Sequence, residues 1–221
     1  IVSSATLMAG ERAAGDAAAR LADHPRLGVG LHVTLTGSRP TLPAERVPSL
    51  VDSAGDLPRK PELIRDFQPR EVAAEIRNQL RIFRELTGRL PTHLDSHHHS
   101  HTHPLVLAAV VALACEYRLP VRRSSPTVGE RLDAAGVATT RLFTERFFGP
   151  NATLEVLLEL LRDVPPGTTE IMCHPGYADD DLRRESGYAD EREREIRVLC
   201  DPAARSAVRA EELELTHFGA R

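Results

Sequence analysis

Histidine is concentrated in one short segment of this 221-residue chain. Six of its ten histidines fall between positions 93 and 103, interrupted by residues such as Asp95 and Ser96. Imidazole is the commonest protein ligand for zinc and similar ions, and it titrates near neutral pH. Because the run is internal and interrupted, it is not typical of an affinity tag. It predicts a metal site or a proton-transfer site, built from some of His93, His97, His98, His99, His101 and His103.

The composition excludes several functional classes. A net charge of -4, with no basic run between aromatic residues, argues against nucleic acid as a partner. The longest nearly apolar stretch, Pro104 to Cys115, is too short to span a bilayer. The three cysteines are far apart and fit neither a disulfide framework nor a CxxC metal site. We expect one soluble, cytoplasmic domain over residues 1–221.

Short strands and helices alternate along the sequence. Pro69 opens a helix with an apolar stripe at three- and four-residue spacing, and Gly88 ends it. The segment Gly37–Leu63 carries five prolines and predicts a long loop. This alternation predicts an α/β fold with a largely parallel sheet. Strands are expected at residues 1–8, 27–36, 90–94, 119–122 and 169–173, with a last one at 212–217.

Three histidines lie at or near the ends of predicted strands. His32 is near the end of one strand, His97 follows a second and His174 follows a third. In α/β folds, ligands gather at the carboxyl ends of parallel strands. These three separate histidine-bearing segments are therefore expected to converge on a site.

The residue types in these segments suit metal-assisted hydrolysis. His32 and His97 supply two imidazole nitrogens, and a metal held by them would lower the pKa of its bound water. Asp95 is a candidate third ligand or general base, and alternatively orients one of the imidazoles. His174 suits a general acid. His24 and His217 have no supporting context and are interpreted as structural.

Four segments together resemble the YdjC-like carbohydrate deacetylases, which include chitooligosaccharide deacetylases and a branch associated with hopanoid biosynthesis. The segments begin at Ser4, Gly30, Gly88 and Met172, and they span nearly the whole chain in the family's order. They read Ser-Ala-Thr-Leu-Met, Gly-Leu-His-Val-Thr-Leu-Thr, Gly-Arg-Leu-Pro-Thr-His-Leu-Asp-Ser-His-His-His and Met-Cys-His-Pro-Gly-Tyr. The string Pro-Thr-His-Leu-Asp-Ser-His-His-His is highly specific.

The resemblance implies a (β/α) barrel-like glycoside hydrolase/deacetylase fold. It implies removal of the N-acetyl group, a linear amide, from an amino sugar or oligosaccharide, with release of acetate. A divalent metal, Mg²⁺ first and Zn²⁺ second, would be held by an aspartate together with His32 and His97. His174 would protonate the leaving amine. Asp95, His99 and Tyr177 would contact the sugar.

One part of the family pattern does not occur in this sequence. The family begins with a strand that ends in Asn-Ala-Asp-Asp-Phe-Gly, whose two aspartates supply the catalytic base and a metal ligand. No Asp-Asp-Phe-Gly occurs here, and the chain begins at Ile1 within an apolar stretch. We therefore expect that the first strand is missing from this chain, and that the chain as given is inactive although its parent is a deacetylase.

Two other functions fit the residues. Closely spaced histidines also build two-metal phosphoesterase sites, although those need several carboxylates and only Asp95 is close in sequence. A catalytically dead protein that binds carbohydrate or metal would need no base. The acetylated substrate is left open by the sequence, and base rates alone favour a homodimer.

Overall fold

The computed structural model of the chain describes residues 1–220, which contain parallel strands alternating with α-helices. This confirms the predicted α/β class. The strands are β1 (Ser4–Leu7), β2 (Gly28–Val33), β3 (Leu94–Ser96), β4 (Leu142–Thr144) and β5 (Thr169–Ile171). The helices are α1 (Ala14–Ala19), α2 (Pro69–Thr87), α3 (Pro104–Tyr117), α4 (Pro126–Ala134), α5 (Leu154–Arg162), α6 (Asp180–Glu185), α7 (Asp190–Leu199) and α8 (Pro202–Ala210).

The chain divides into two compact units, which are described separately. The large unit comprises Ser3–Thr139 and the chain end from His217 onward. The small unit comprises Thr140–Thr216 together with Ile1 and Val2. Among residues 1–220, no helix has both the length and the apolar composition that crossing a bilayer requires.

The sheet of the large unit has the order β1-β2-β3, and both pairings are parallel. Leu94 also forms a parallel bridge with Val121, so the segment around Val121 continues the sheet beyond β3. The alternating sequence of β2 explains its two faces. Leu31 and Val33 are buried in the apolar core, whereas Gly30 and His32 belong to the opposite face.

Helix α2 follows the signals in its sequence closely. It begins at Pro69, whose missing N–H is not needed in a first helical turn, and it ends before Gly88, which has a φ of 69°. Its apolar stripe is buried, and α2 packs against the almost wholly apolar α3. The buried members of the stripe are Val72, Ile76, Leu80 and Phe83.

The small unit is built around a two-stranded parallel sheet of β4 and β5. Helices α5, α7 and α8 contribute its apolar core, with α5 packed on both of the others. Helix α5 begins after Thr153, whose hydroxyl accepts a hydrogen bond from the Val156 N–H. Strand β5 leads into the segment that carries His174. The core includes Phe147, Leu157, Leu161, Leu199 and Val208.

The predicted last strand at 212–217 is wrong, because this segment contains no regular element in the structure. The reason is a packing requirement that the local sequence does not reveal. The His217 ring lies over the backbone of Gly28, and the neighbouring Phe218 ring stacks on His93 with the centroids 4.2 Å apart. The chain end therefore covers β2 as an irregular segment.

A glycine at position 30 is required by the packing of the His93 ring. A Cβ at Gly30 would lie 2.5 Å from the buried His93 ring, whereas a Cβ at Gly15, inside α1, would meet nothing within 4 Å. We expect Gly30→Ala to destabilise the protein by about 1–3 kcal/mol, and the control Gly15→Ala to stabilise it by about 0.5–1 kcal/mol. Thermal unfolding measures both. An unchanged melting temperature in Gly30→Ala would contradict the close packing of the His93 ring on Gly30.

Candidate active site

The register of the sheet brings His32 and Asp95 together. They are direct partners across β2 and β3, and the Nδ1 atom of His32 lies 2.7 Å from Oδ1 of Asp95. An ionised carboxylate can only accept, so the proton of this hydrogen bond belongs to His32 Nδ1. With that proton on Nδ1, the ring nitrogen that can offer a lone pair to a metal is Nε2. This is the arrangement in which a carboxylate orients a metal-binding imidazole.

Asp95 is 1% exposed, and its other oxygen is also paired. Arg122 lies 2.8 Å from Oδ2, and the Thr6 hydroxyl donates to the same atom at 3.4 Å. Burial would raise the pKa of Asp95, but the charges of His32 and Arg122 and the His32 hydrogen bond outweigh it and hold the pKa well below its usual range. These contacts favour an orienting role for Asp95 over the predicted sugar contact, which stays a prediction.

Arg122 and Thr6 are parts of this network that the sequence interpretation did not identify. Arg122 closes the predicted strand 119–122, and an arginine at the end of a buried strand is a weak signal that a buried carboxylate lies nearby. Thr6 gives no such signal. Its position next to His32 follows from the pairing of β1 with β2, which places Thr6 opposite Gly30.

His97 immediately follows β3 and faces His32. The two imidazole rings meet edge to face with centroids 5.6 Å apart. The His98 ring lies tilted against the His97 ring, with the centroids 3.8 Å and the planes 35° apart, and Nδ1 of His98 lies 3.2 Å from the Thr36 hydroxyl. Gly37, with a φ of 66°, lies beside both rings, since a Cβ there would lie 3.3 Å from Cε1 of His98 and 3.4 Å from Nε2 of His97. His32, Asp95 and His97 therefore form one cluster, the His-Asp-His cluster.

Two imidazoles of this cluster, those of His32 and His97, are the groups that could hold a divalent ion. His32 has its Nδ1 committed to Asp95, so its Nε2 is the atom that can bind a metal. Within residues 1–220, no group of three or more His, Cys, Asp or Glu side chains is arranged to hold an ion. Asp95 does not add a third metal ligand, because its Oδ2 atom is already paired with Arg122 and Thr6.

The turn after β3 holds two adjacent residues in an unfavourable backbone conformation. His98 and His99 have φ values of 51° and 52°, in the left-handed region that disfavours side chains with a Cβ. Such residues persist when the surrounding structure fixes them, and they are concentrated at functional sites. Here the Thr102 hydroxyl donates to the carbonyl of His99 at 2.9 Å. His99 therefore belongs to a strained turn that carries His97.

His101 stabilises this turn through hydrogen bonds of its backbone and its ring. Its backbone N–H donates to Ser96 Oγ at 2.9 Å, and its ring Nδ1 lies 2.5 Å from the same oxygen. Its Nε2 contacts the Ser124 hydroxyl at 2.8 Å and the Arg122 carbonyl at 3.2 Å. Burial lowers the pKa of His101 to about 4, so the ring is neutral near pH 7. His101 is therefore a structural histidine that joins the start of the turn at Ser96 to the segment with Arg122 and Ser124.

The long loop Gly37–Leu63 is fixed to helix α2 by buried carboxylates. Glu75, which is fully buried, accepts hydrogen bonds from the backbone N–H groups of Thr41 and Leu42 at 2.8 and 3.0 Å. Glu71 accepts from the Ser49 N–H at 2.8 Å. The loop is therefore held on α2 by hydrogen bonds, and it begins at Gly37, beside His97 and His98.

The remaining predicted site residues, His174 and Tyr177, lie in the small unit after β5. The backbone N–H of His174 donates to Glu195, and the His174 ring meets the Phe148 ring edge to face at 5.4 Å. Tyr177 is 84% exposed. The structure thus groups His32, Asp95, His97 and His99 in the large unit and places His174 and Tyr177 in the small unit.

Comparison with known proteins gives a consistent family assignment. The family model described as YdjC-like protein matches residues 1–210. A carbohydrate deacetylase of Geobacillus stearothermophilus is 41% identical over 203 residues, covering 91% of this chain and 79% of that protein. A carbohydrate deacetylase of Brevibacillus brevis is 35% identical over 222 residues, covering 99% of this chain and 88% of that protein.

A solved crystal structure agrees with the sequence comparisons. It is that of an Enterococcus faecalis V583 protein described as a candidate cellobiose-phosphate cleavage protein, and it superposes with a TM-score of 0.92 at 31% identity. The match covers 99% of this chain and 87% of that one. On the family model and these relatives, the chain belongs to the family of YdjC-like proteins.

Proposed function

We propose that the chain carries residues of the active site of a carbohydrate deacetylase. The reaction is hydrolysis of the N-acetyl amide of an acetylated amino sugar or oligosaccharide, which gives acetate and a free amine. The observation that carries the proposal is the His-Asp-His cluster, in which His32 and His97 face each other and Asp95 leaves Nε2 of His32 free to bind. The relatives named carbohydrate deacetylases support this choice of reaction.

A divalent metal is part of the proposal, with His32 and His97 as its protein ligands. When bound, such an ion polarises an acyl oxygen and acidifies water. Imidazole nitrogen suits Zn²⁺ well, whereas Mg²⁺ prefers oxygen ligands. The resemblance to the family favours Mg²⁺ and the two imidazoles favour Zn²⁺, so both ions belong in the test.

The other residues orient these groups, bind the sugar and move a proton. Asp95 holds the His32 ring, and Arg122 balances the charge of Asp95. The turn with His99 and the exposed Tyr177 are proposed to contact the sugar. As the carbon–nitrogen bond of the amide breaks, an imidazole nitrogen of His174 is proposed to give its proton to the leaving amine.

The test is acetate release from di-N-acetylchitobiose by the natural full-length protein, with Mg²⁺ or Zn²⁺ added. We expect His97→Ala to lower the rate at least about 100-fold, because it removes one of the two imidazole ligands. The matched control is His24→Ala, which changes an exposed histidine of the same unit. Metal binding, measured by calorimetry, should weaken in His97→Ala and stay unchanged in His24→Ala.

Either of two results would contradict the proposal. One is equal activity and equal metal affinity in His97→Ala and His24→Ala. The other is a lack of acetate release from di-N-acetylchitobiose and from other N-acetylated sugars by the metal-supplemented natural protein. Phosphate release from a phosphoester in that second case would favour a phosphoesterase, and sugar binding without turnover would favour a binding protein.

A further inference from the structure

Glu195 is a fully buried carboxylate in the small unit, outside the His-Asp-His cluster. It lies on helix α7, and each of its two oxygens has one identified donor. Oε2 accepts from the backbone N–H of His174, and Oε1 accepts from the hydroxyl of Tyr188 at 2.5 Å. One carboxylate thus joins the main chain of His174 to the side chain of Tyr188.

Tyr188 connects this carboxylate to the ring of His174. The Tyr188 hydroxyl also accepts from the Gly149 N–H at 3.0 Å, and its ring stacks on Phe148 with the centroids 4.4 Å apart and the planes 3° apart. Both rings meet the His174 imidazole edge to face, Phe148 at 5.4 Å and Tyr188 at 5.7 Å. The backbone and the ring of His174 therefore rest on one continuous support.

The chemical character of Glu195 favours a role in positioning its neighbours over a role in filling space. Burial raises the pKa of Glu195, which reflects the cost of keeping a charge there. An apolar side chain of similar volume would fill the same space at lower cost. Burial and the hydrogen bond to Glu195 also raise the pKa of Tyr188, so its hydroxyl remains a donor. What the carboxylate adds is a fixed location for the two groups that donate to it.

We infer that Glu195 is a positioning residue for His174, acting through Tyr188 and through the His174 backbone. It sets the direction in which the imidazole presents its proton. The inference rests on the proposed function, in which His174 is the proton donor to the leaving amine. Glu195 itself touches neither the metal ligands nor any reacting atom in this scheme.

Three substitutions separate positioning from general stability. Glu195→Gln keeps the shape but leaves only one acceptor oxygen for two donors. Tyr188→Phe keeps the stacked ring and removes the hydroxyl. The control is Glu193→Gln, because Glu193 lies on the same helix and accepts from the Ala178 N–H, four residues after His174, at 3.1 Å. All three are made in the natural full-length protein.

Two measurements are made on each folded variant. In proton NMR, the Cε1–H resonance of His174, assigned by its loss in His174→Asn, should shift in Glu195→Gln and Tyr188→Phe and stay in place in Glu193→Gln. In the acetate assay, kcat should fall about 10- to 100-fold in the first two variants, since small misplacements of a reacting group have effects of this size. KM should change less than about twofold, because uniform binding is not altered.

The two proposals fail in different ways. If the natural protein releases no acetate, the proposed function fails, and the His174 resonance still tests positioning. An unshifted His174 resonance in both Glu195→Gln and Tyr188→Phe overturns the inference, whatever the activity. Equal losses of kcat in Glu195→Gln and Glu193→Gln also overturn it, because they would show a general effect of α7 on the unit. If Glu195→Gln does not fold, Tyr188→Phe decides alone.

Discussion

Asp95→Ala is expected to lower the free energy of unfolding by about 3–5 kcal/mol, the usual cost of leaving a buried charge without its partner. Asp95 is 1% exposed, and the Arg122 side chain that would lose its carboxylate is 12% exposed. His32 would lose the acceptor of its Nδ1 proton at the same time. Chemical denaturation of wild type and variant measures the difference.

An exposed ion pair in the same unit supplies the control. Asp56 pairs with Arg39 at 2.9 Å, with both side chains well exposed. Asp56→Ala is expected to cost less than about 1 kcal/mol. Adding Arg122→Met to Asp95→Ala should recover part of the loss, since it removes the stranded charge. Equal costs for Asp95→Ala and Asp56→Ala would show that the buried network does not stabilise the fold.

Acid is expected to destabilise the large unit well above the pKa range of ordinary carboxylates. Burial lowers the pKa values of His93 and His101 from 6.5 to about 4. Between these values the unfolded chain binds protons that the folded chain does not, so stability falls as pH falls. The contribution of these two histidines to the free energy of unfolding is complete above pH 6.5. Each histidine accounts for about 3 kcal/mol of that contribution.

The measurement is the free energy of unfolding at a series of pH values between 4 and 6.5. His101→Gln keeps one donor and one acceptor but does not titrate, so it should remove about 1.4 kcal/mol per pH unit from the steepest part of the slope. His24→Gln, at an exposed position, should leave the slope as it is. A wild-type stability that is flat across this range would refute the neutral, buried state of both rings.

The parts of the fold that the sequence predicted correctly are those with local causes. Pro69 and Gly88 mark the ends of α2, and the spacing of its apolar residues fixes the buried face. Strands β2 and β3 were expected from their patterns, although β3 begins at Leu94, where the sequence placed the end of a strand. Their pairing places His32 beside Asp95, as convergence at strand ends requires.

The parts of the fold and of the site that the sequence did not predict depend on contacts between segments that are distant in the sequence. Arg122 reaches Asp95 because Leu94 pairs with Val121, and nothing near Arg122 in the sequence specifies that pairing. Glu195 reaches the His174 backbone across 21 positions. The roles of His32, His97, His99, His174 and Tyr177 in binding and catalysis stay predictions that the experiments above address.

The anchoring of the loop Gly37–Leu63 separates the stability of the protein from the surface that the loop presents, two properties that substitutions usually change together. Glu75 holds Thr41 and Leu42, and Glu71 holds Ser49, while residues 51–56 carry no bond to these carboxylates. Residues 51–56 lie beyond the last of these anchor points, so they can be exchanged without loss of the hydrogen bonds that hold the loop on α2. We therefore expect substitutions at residues 51–56 to change the surface that the loop presents while leaving the anchoring hydrogen bonds, and with them the melting temperature, largely unaltered.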